Sequence, residues 1–481
     1  MHARARARIS EFGMRLDLPG SRLQLVREAL LFSDDELISR DEPRLRVLLL
    51  TSGLGLGHVR AAEAVAAALH DQAEVATVDF WSLMHAGAAR AIHAAYLDLV
   101  QNHTDLYERL YHLDERTWRQ VLESRSGPPR AVLEVFELIA SLTANEGMNI
   151  PRGGRYASDR LLYSLLCAAL PYDGDSLAGN GVRARLALLK FTWLRLIRRL
   201  EPAIRKFAPD VIISTQMIPA AMTSYLKQRG KVPASVIGVL TDFGVHDFWK
   251  QRGIDRYCVA HESILDSEAS ATPRAVVTGV PLMPDFAFPL SQSEARRELQ
   301  VPDEAQVVLV VGGGLGLSVD AAAASLLQRQ AATHVIVMPG KNHRARAALD
   351  QLAARHPQRL RVCDWTDRMD IYLRAADIVV GKPGGITVAE VLACGRPLLA
   401  TRSLGGQEGF NIDFLTRHDV GGLVPDGELL TRVDSLLRDR EMLQNMQRRA
   451  WLLGRRDGAA KVAELALDLA SIHRAMAAET R

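Results

Sequence analysis

Short apolar runs recur along the chain and alternate with longer stretches of helical periodicity. That alternation is the pattern of parallel strands joined by crossover helices. In the first half the strands read as Leu45–Thr51, Glu74–Asp79, Asp210–Thr215, Ser235–Thr241, Arg256–Ala260 and Ala275–Gly279. In the second half they read as Gln306–Val311, His334–Met338, Arg359–Cys363, Asp377–Gly381, Pro397–Thr401 and Gly421–Val424. Two sets of six predict two doubly wound α/β domains. The proline-bearing stretch near residues 284–294 reads as their linker.

The pattern divides the chain into a flexible tail over 1–42, a first domain over 43–284, a second over 295–455 and a C-terminal helix over 456–481. Residues 82–205 break the first domain with a helical insertion too long for an ordinary crossover, which points to a lid or a partner surface. Within it, "KFTWLRLIRRL" (190–200) sets Phe191, Leu194, Ile197 and Trp193 against Lys190, Arg195, Arg198 and Arg199. Two readings stand: a helix lying on a membrane surface, or one packing its apolar side on the sheet. Tyr96, Tyr107 and Tyr111 add amphipathic rings suited to headgroup level.

Composition narrows the class. At 481 residues, with 48% hydrophobic and 24% charged residues, the chain is an ordinary globular protein long enough for two or three cores. A net charge of +3 over that length does not support nucleic-acid binding by electrostatics. Cys167, Cys258, Cys363 and Cys394 lie far apart, so neither a zinc site nor a disulfide framework is indicated, in keeping with a reducing cytoplasm. No apolar run approaches the ~20 residues that span a bilayer, and the basic start "MHARARARIS" lacks the apolar stretch of a signal peptide.

Three glycine turns carry the candidate chemistry. "TSGLGLGHVR" follows the first strand and opens a helix, as in dinucleotide-binding proteins. After Gly53 and Gly55, however, the third glycine of that fingerprint is replaced by His58, so close packing is not what position 58 serves. "VVGGGLGLSVD" places Gly312, Gly313 and Gly314 between strand and helix, again without dinucleotide spacing. Such turns aim backbone N–H groups and a positive helix end at an anion. "VVGKPGGITVAEVLACGRPLLA" is the third, with Lys382, Gly384 and Gly385 at the carboxyl end of a strand, where open α/β sheets bind ligands. Glu390 has two readings there: the far member of a capping box with Thr387, or a carboxylate that accepts from a ribose diol.

"GKPGGITVAEVLACGRPLL" and "GGQEGFN" (405–411) resemble the nucleotide-sugar motifs of GT-B glycosyltransferases in the group of monogalactosyldiacylglycerol synthases and processive diacylglycerol glucosyltransferases. The lipid II-forming N-acetylglucosaminyltransferase is a more distant relative. "GLGLGHVRAAEAV" and "VIGVLTDFGVHDFWKQRGIDRYCVAHE" resemble that group's acceptor domain, and the likeness runs over about residues 43–450. It implies a GT-B architecture, two Rossmann-like domains facing across a cleft. It also implies an inverting transfer of a hexose from a UDP-sugar to a membrane lipid hydroxyl such as diacylglycerol. An epimerase on the same fold, or a transferase acting on another acceptor, is the alternative.

By this resemblance Glu390 holds the ribose, Gln407 and Glu408 meet the donor sugar, and Gly313, Gly314, Gly384 and Gly385 approach the diphosphate. Lys382 either neutralises phosphate or covers the turn. Met338, Gly340 and Trp365 lie where the family binds uracil. Gly55, Gly57 and His246 fall on the acceptor side. His58 ranks first as the general base and Asp242 second. Asp173-Gly174-Asp175 reads as a solvated turn and not a metal motif, so neither metal nor cofactor is expected. The expected partners are a UDP-sugar, a lipid acceptor and an anionic membrane surface, with the enzyme peripheral on the cytoplasmic face of the cell membrane.

Overall fold

The computed structural model describes residues 44–83 and 196–479, apart from 266–273, 289, 317, 330–332, 402 and 404–405. Trp193, Arg195, the Asp173/Asp175 turn and the three tyrosines of the insertion lie outside the described residues. The first sheet comprises β1 (Leu45–Thr51), β2 (Ala73–Asp79), β3 (Val211–Ser214), β4 (Ser235–Val239), β5 (Arg256–Val259) and β6 (Ala275–Val277), all parallel, in the order β2-β1-β3-β4-β5-β6. The second comprises β7 (Gln306–Val311), β8 (Thr333–Met338), β9 (Leu360–Val362), β10 (Ile378–Gly381), β11 (Leu398–Ala400) and β12 (Gly421–Leu423). Its order, β12-β11-β10-β7-β8-β9, is the doubly wound arrangement with its switch point between β7 and β10.

Each strand read from the apolar pattern is present, several with ends trimmed. Pro397, for example, has no N–H to give the ladder, and β11 begins one residue later. The strands are buried on both faces, which explains why they read as unbroken apolar runs.

Eleven bounded helices among the described residues flank the sheets. In chain order they are α1 (Leu56–Leu69), α2 (Met217–Gln228), α3 (Gln292–Glu298), α4 (Val319–Leu327), α5 (His343–Arg355), α6 (Met369–Ala375), α7 (Gly385–Ala393), α8 (Gln407–Arg417), α9 (Leu429–Arg438), α10 (Arg440–Leu453) and α11 (Gly458–Glu479). The stretch read as a linker ends inside α3, which starts at Gln292 because Ser291 and Glu294 form a reciprocal capping box.

Two features tie the domains together. One apolar cluster runs through both: Leu240 and Phe243 of the first domain pack with Ala389 and Phe414 of the second. The C-terminal helix α11 also crosses back, burying Val462, Ala463, Ala466 and Ala470 against Val47, Leu49, Ile213 and Ile237 of the first sheet. There Arg474 Nη2 donates to Asp210 Oδ2 at 2.7 Å and its Nε to Oδ1 at 3.0 Å.

The described end of the insertion, helical over 196–207, is a core element. Ile197 and Leu200 pack with Phe80, Leu83, Ile212 and Met222, while Arg198 is exposed and Arg199 donates to the Leu83 carbonyl at 2.7 Å. No described helix is long and apolar enough to cross a membrane.

Candidate active site

The carboxyl edges of the two sheets face each other across a cleft of about 390 Å³. The turn after β1 and the start of α1 form its first-domain wall, through Gly55, Gly57 and His58. Thr241 and Asp242, just past β4, complete that wall. The second-domain wall is built at the switch point, where Gly313 and Gly314 follow β7 and Lys382, Gly384 and Gly385 follow β10. Met338 and Gly340 at the end of β8, Trp365 beyond β9, and Glu390, Gln407 and Glu408 on α7 and α8 also line it. The domains approach closely enough to demand glycine. A Cβ on Gly314 would lie 2.3 Å from Leu56, and one on Gly385 1.8 Å from the Thr241 carbonyl oxygen.

Every residue assigned to the donor side from the sequence lines this one cleft, as do His58, Asp242, Gly55 and Gly57. His246 is the exception. Its Nδ1 accepts from the Phe248 N–H at 3.1 Å, which fastens the short turn Asp247–Trp249, and it does not line the cleft.

Glu390 is not a cap. Helix α7 starts at Gly385 with Gly384 as its N-cap, three residues earlier than the capping-box reading requires, so Thr387 already lies inside the first turn and no side chain caps this end. No group among the described residues hydrogen-bonds the Glu390 carboxylate. Burial raises its pKa to about 7, with the Arg60 cation pulling the other way. Gln407 likewise carries a buried Oε1 without a hydrogen-bond partner. Buried polar atoms are nearly always satisfied, so the Gln407 oxygen, beside the half-buried Glu390 carboxylate, marks where a ligand's donors belong. The Lys382 stem passes beside Gly384 in the glycine turn. Its ammonium pairs with the Glu408 carboxylate, which is 2% exposed.

The environments of the two candidate bases differ. His58 Nδ1 lies 3.4 Å from the Thr241 hydroxyl. Desolvation lowers its pKa to about 4 against a hydrogen bond to the Thr215 backbone, which leaves the imidazole neutral at physiological pH. Desolvation raises Asp242 to about 6, opposed by a hydrogen bond from Asn411. Asn411 Nδ2 donates to Asp242 Oδ1 at 2.9 Å, and also to the Pro383 carbonyl at 2.9 Å.

Several cleft residues carried no sequence signal. Arg60, two residues after His58, pairs with Glu63 at 2.8 Å and reaches across to Asp367 at 3.4 Å. Asp79 at the end of β2 accepts from the Gly53 N–H at 3.2 Å and from the Trp81 N–H at 3.0 Å, which sets the shape of the glycine turn. Both lie on helical or strand positions that read as ordinary surface and strand-end residues. Only the assembled cleft gives them a place.

Paired doubly wound domains with a ligand cleft between their carboxyl edges define the GT-B class. The solved structures of the same fold include MurG from Acinetobacter baumannii, at 16% identity over 88% of this chain and 99% of that one with a TM-score of 0.53. The calicheamicin glycosyltransferase CalG4 is another, at 14% identity over 89% and 99% with a TM-score of 0.50. Residues 183–282 match the monogalactosyldiacylglycerol (MGDG) synthase family, and residues 307–457 match the glycosyltransferase family 28 C-terminal domain. The chain is 31% identical over 258 residues to the processive diacylglycerol beta-glucosyltransferase of Bacillus licheniformis. It is 29% identical over 258 residues to that of Bacillus subtilis. In both cases the alignment spans 52% of this chain and 66% of the relative, just under two thirds of the relative's length. Within the GT-B class, the chain is similar to the MGDG synthases and processive diacylglycerol glucosyltransferases.

Proposed function

We propose that the protein transfers a hexose from a UDP-sugar to the hydroxyl of a membrane lipid such as diacylglycerol, with inversion at the anomeric carbon. The observation that carries the donor half of this reading is Glu390, a carboxylate without a partner beside two anion-directed glycine turns. In this reading a ribose diol donates to Glu390, uracil lies by Met338, Gly340 and Trp365, and the diphosphate lies over Gly313, Gly314, Gly384 and Gly385. Gln407 Oε1 takes a donor-sugar hydroxyl. Backbone N–H groups and the N-terminus of α7 stabilise the leaving diphosphate, a role that needs no metal. The lipid half rests on the named activity of the relatives.

Chemistry at the anomeric carbon needs a base for the attacking hydroxyl. Asp242 suits that task better than His58, because a base works best when its pKa lies near the operating pH and its value is about 6 against about 4. As the lipid oxygen bonds to the anomeric carbon, its proton passes to the Asp242 carboxylate. The bond from the anomeric carbon to the β-phosphate oxygen breaks, and UDP departs with that electron pair. His58, held by Thr241, shapes the acceptor wall. A diacylglycerol acceptor stays in the bilayer, so in this reading the enzyme works as a peripheral protein, on the cytoplasmic face of the membrane.

The test incubates purified protein with each UDP-sugar in turn and vesicles containing diacylglycerol, with products read by mass. Lipid-dependent release of UDP together with a glycosylated lipid is the expected result. Conversion of one UDP-sugar into another without lipid would identify an epimerase instead, and UDP binding without either reaction would leave a binding protein.

A further inference from the structure

The base proposed above is not held by its own domain. Asp242 sits on the first domain, and among the described residues its carboxylate is held from the second, by the Asn411 side chain on α8 and the Gly385 backbone at the start of α7. Asn411 is 0% exposed and does not line the cleft. Its amide orientation is fixed by its partners: Oδ1 accepts from the Phe243 N–H at 2.8 Å, so Nδ2 must face Asp242 and the Pro383 carbonyl. One amide thus bridges two consecutive residues of the acceptor-side wall and the phosphate-side turn that precedes α7. Thr241, next in the chain, lies so close to Gly385 that a single methyl there would push the walls apart. Phe243 and Phe414, with ring centroids 4.4 Å apart, pack the same seam one turn of α8 further on.

We infer that Asn411 is a positioning residue through which the donor domain orients the base, so that Asp242 is competent only when the two walls meet. The inference rests on Asp242 as the base. Separating the domains would break both Asn411 bonds to the first domain at once, the one from the Phe243 N–H and the one to Asp242, and release the carboxylate into water. Donor binding between the walls would then favour the arrangement that also readies the base. This ties proton removal to the presence of a donor and keeps an ionised carboxylate away from an empty, open cleft.

The charged and titratable groups facing Asp242 are Glu408 and Lys382 from the second domain and, through the Thr241 hydroxyl, His58 from α1. Glu408 and Lys382 pair with each other and His58 is neutral, so the Asn411 hydrogen bond is the contact whose loss Asp242 feels most directly. Removing it favours the protonated acid, and the acid limb of the turnover profile moves to higher pH.

The experiment measures kcat against pH at saturating donor and lipid for the wild type, Asn411→Asp, Asn411→Ala and Asp242→Asn. UDP titration of each variant checks that the donor site is intact. Asn411→Asp keeps the size of the side chain and the acceptor for Phe243 N–H but sets a carboxylate in place of the donor, so it remains informative if the alanine variant does not fold. Both Asn411 variants should shift the acid limb upward by about one pH unit or more, the size expected for loss of a hydrogen bond to a charged group. Turnover at pH 5, below the limb, should fall about tenfold or more, with UDP affinity retained. If the Asn411 variants lose turnover without moving the limb, Asn411 is only a structural bridge and the inference is overturned while the base stands. If Asp242→Asn keeps wild-type turnover, the base itself has been misassigned.

Discussion

Replacing Glu390 with glutamine separates a ligand-binding carboxylate from a structural one, because the two roles predict opposite changes in stability. In the native protein burial holds the Glu390 proton up to about pH 7, from an ordinary value of 4.5. In the unfolded chain the group ionises near that ordinary value. Between the two the native state binds more protons, so stability falls as pH rises from about 4.5 to about 7 and stays lowered above it. The full shift corresponds to roughly 3 kcal/mol at 1.36 kcal/mol per pKa unit. Partial exposure at the cleft wall screens this to roughly 1–2 kcal/mol. Glu390→Gln removes the charge, so the variant should be more stable than the wild type at pH 8 by that amount and equal to it near pH 4.5.

Binding should change in the other direction. Below pH 7 the wild type must release a proton to accept from a ribose diol. Its UDP affinity should therefore rise from pH 6 to pH 8, and calorimetry in buffers of different ionisation enthalpy should register proton release at pH 6. The glutamine variant should bind UDP at least tenfold more weakly at pH 8, the loss of about one charge-assisted hydrogen bond, without pH dependence from this group. Chemical denaturation at pH 4.5 and 8 beside titration at pH 6 and 8 gives both readings. A Glu390→Gln protein that is no more stable at pH 8 and binds UDP like the wild type would refute the reasoning.

Three further outcomes follow from the same geometry. At saturating substrates, kcat should fall as pH drops through about 6, because Asp242 must be ionised to accept a proton; a limb near 4, with His58→Ala the crippling change, would assign the base to His58. Lys382→Ala leaves the carboxylate of Glu408, 2% exposed, without its cation, and should cost about 3 kcal/mol or more in denaturant unfolding. The double variant Lys382→Ala/Glu408→Gln should recover much of that loss, and no recovery would show that the ammonium stem, not the charge, matters there. Arg474→Ala breaks the link between α11 and Asp210 and should lower stability by roughly 1–3 kcal/mol; unchanged thermal unfolding would mean that the alanine face of α11 alone holds the crossover.

How much of this was legible in the sequence follows from the range of the forces involved. The strands were readable because a parallel strand covered on both faces must be apolar throughout, and that requirement is written in consecutive residues such as Gln306–Val311. The glycine turns were readable because the chain must turn sharply between strand and helix. Glu390 was ambiguous because its role depended on whether the N-cap of α7 is Gly384 or Thr387, a difference of three residues that local pattern does not resolve. The return of α11 to the first domain was hidden for another reason. A face of Val462, Ala463, Ala466 and Ala470 suits either sheet equally, and only the ion pair with Asp210 and the fit against Val47 and Ile213 decide which.

Asn411 is the extreme case. It stands 169 residues from Asp242, on the opposite domain, and nothing near it in the chain marks it as more than a polar residue in the first half of a helix. The motif around it points to a donor site, and that is where Gln407 and Glu408 point. Asn411 points the other way, into the seam. A side chain can be read from sequence when its partner is the solvent, its own helix or a recurring ligand. It cannot be read when its partner is one carboxylate brought up by the meeting of two domains. Joining a donor site to a proton acceptor depends on contacts of that second kind, so the residue that couples them is the one for which sequence reasoning has no local signal and the assembled structure has a specific answer.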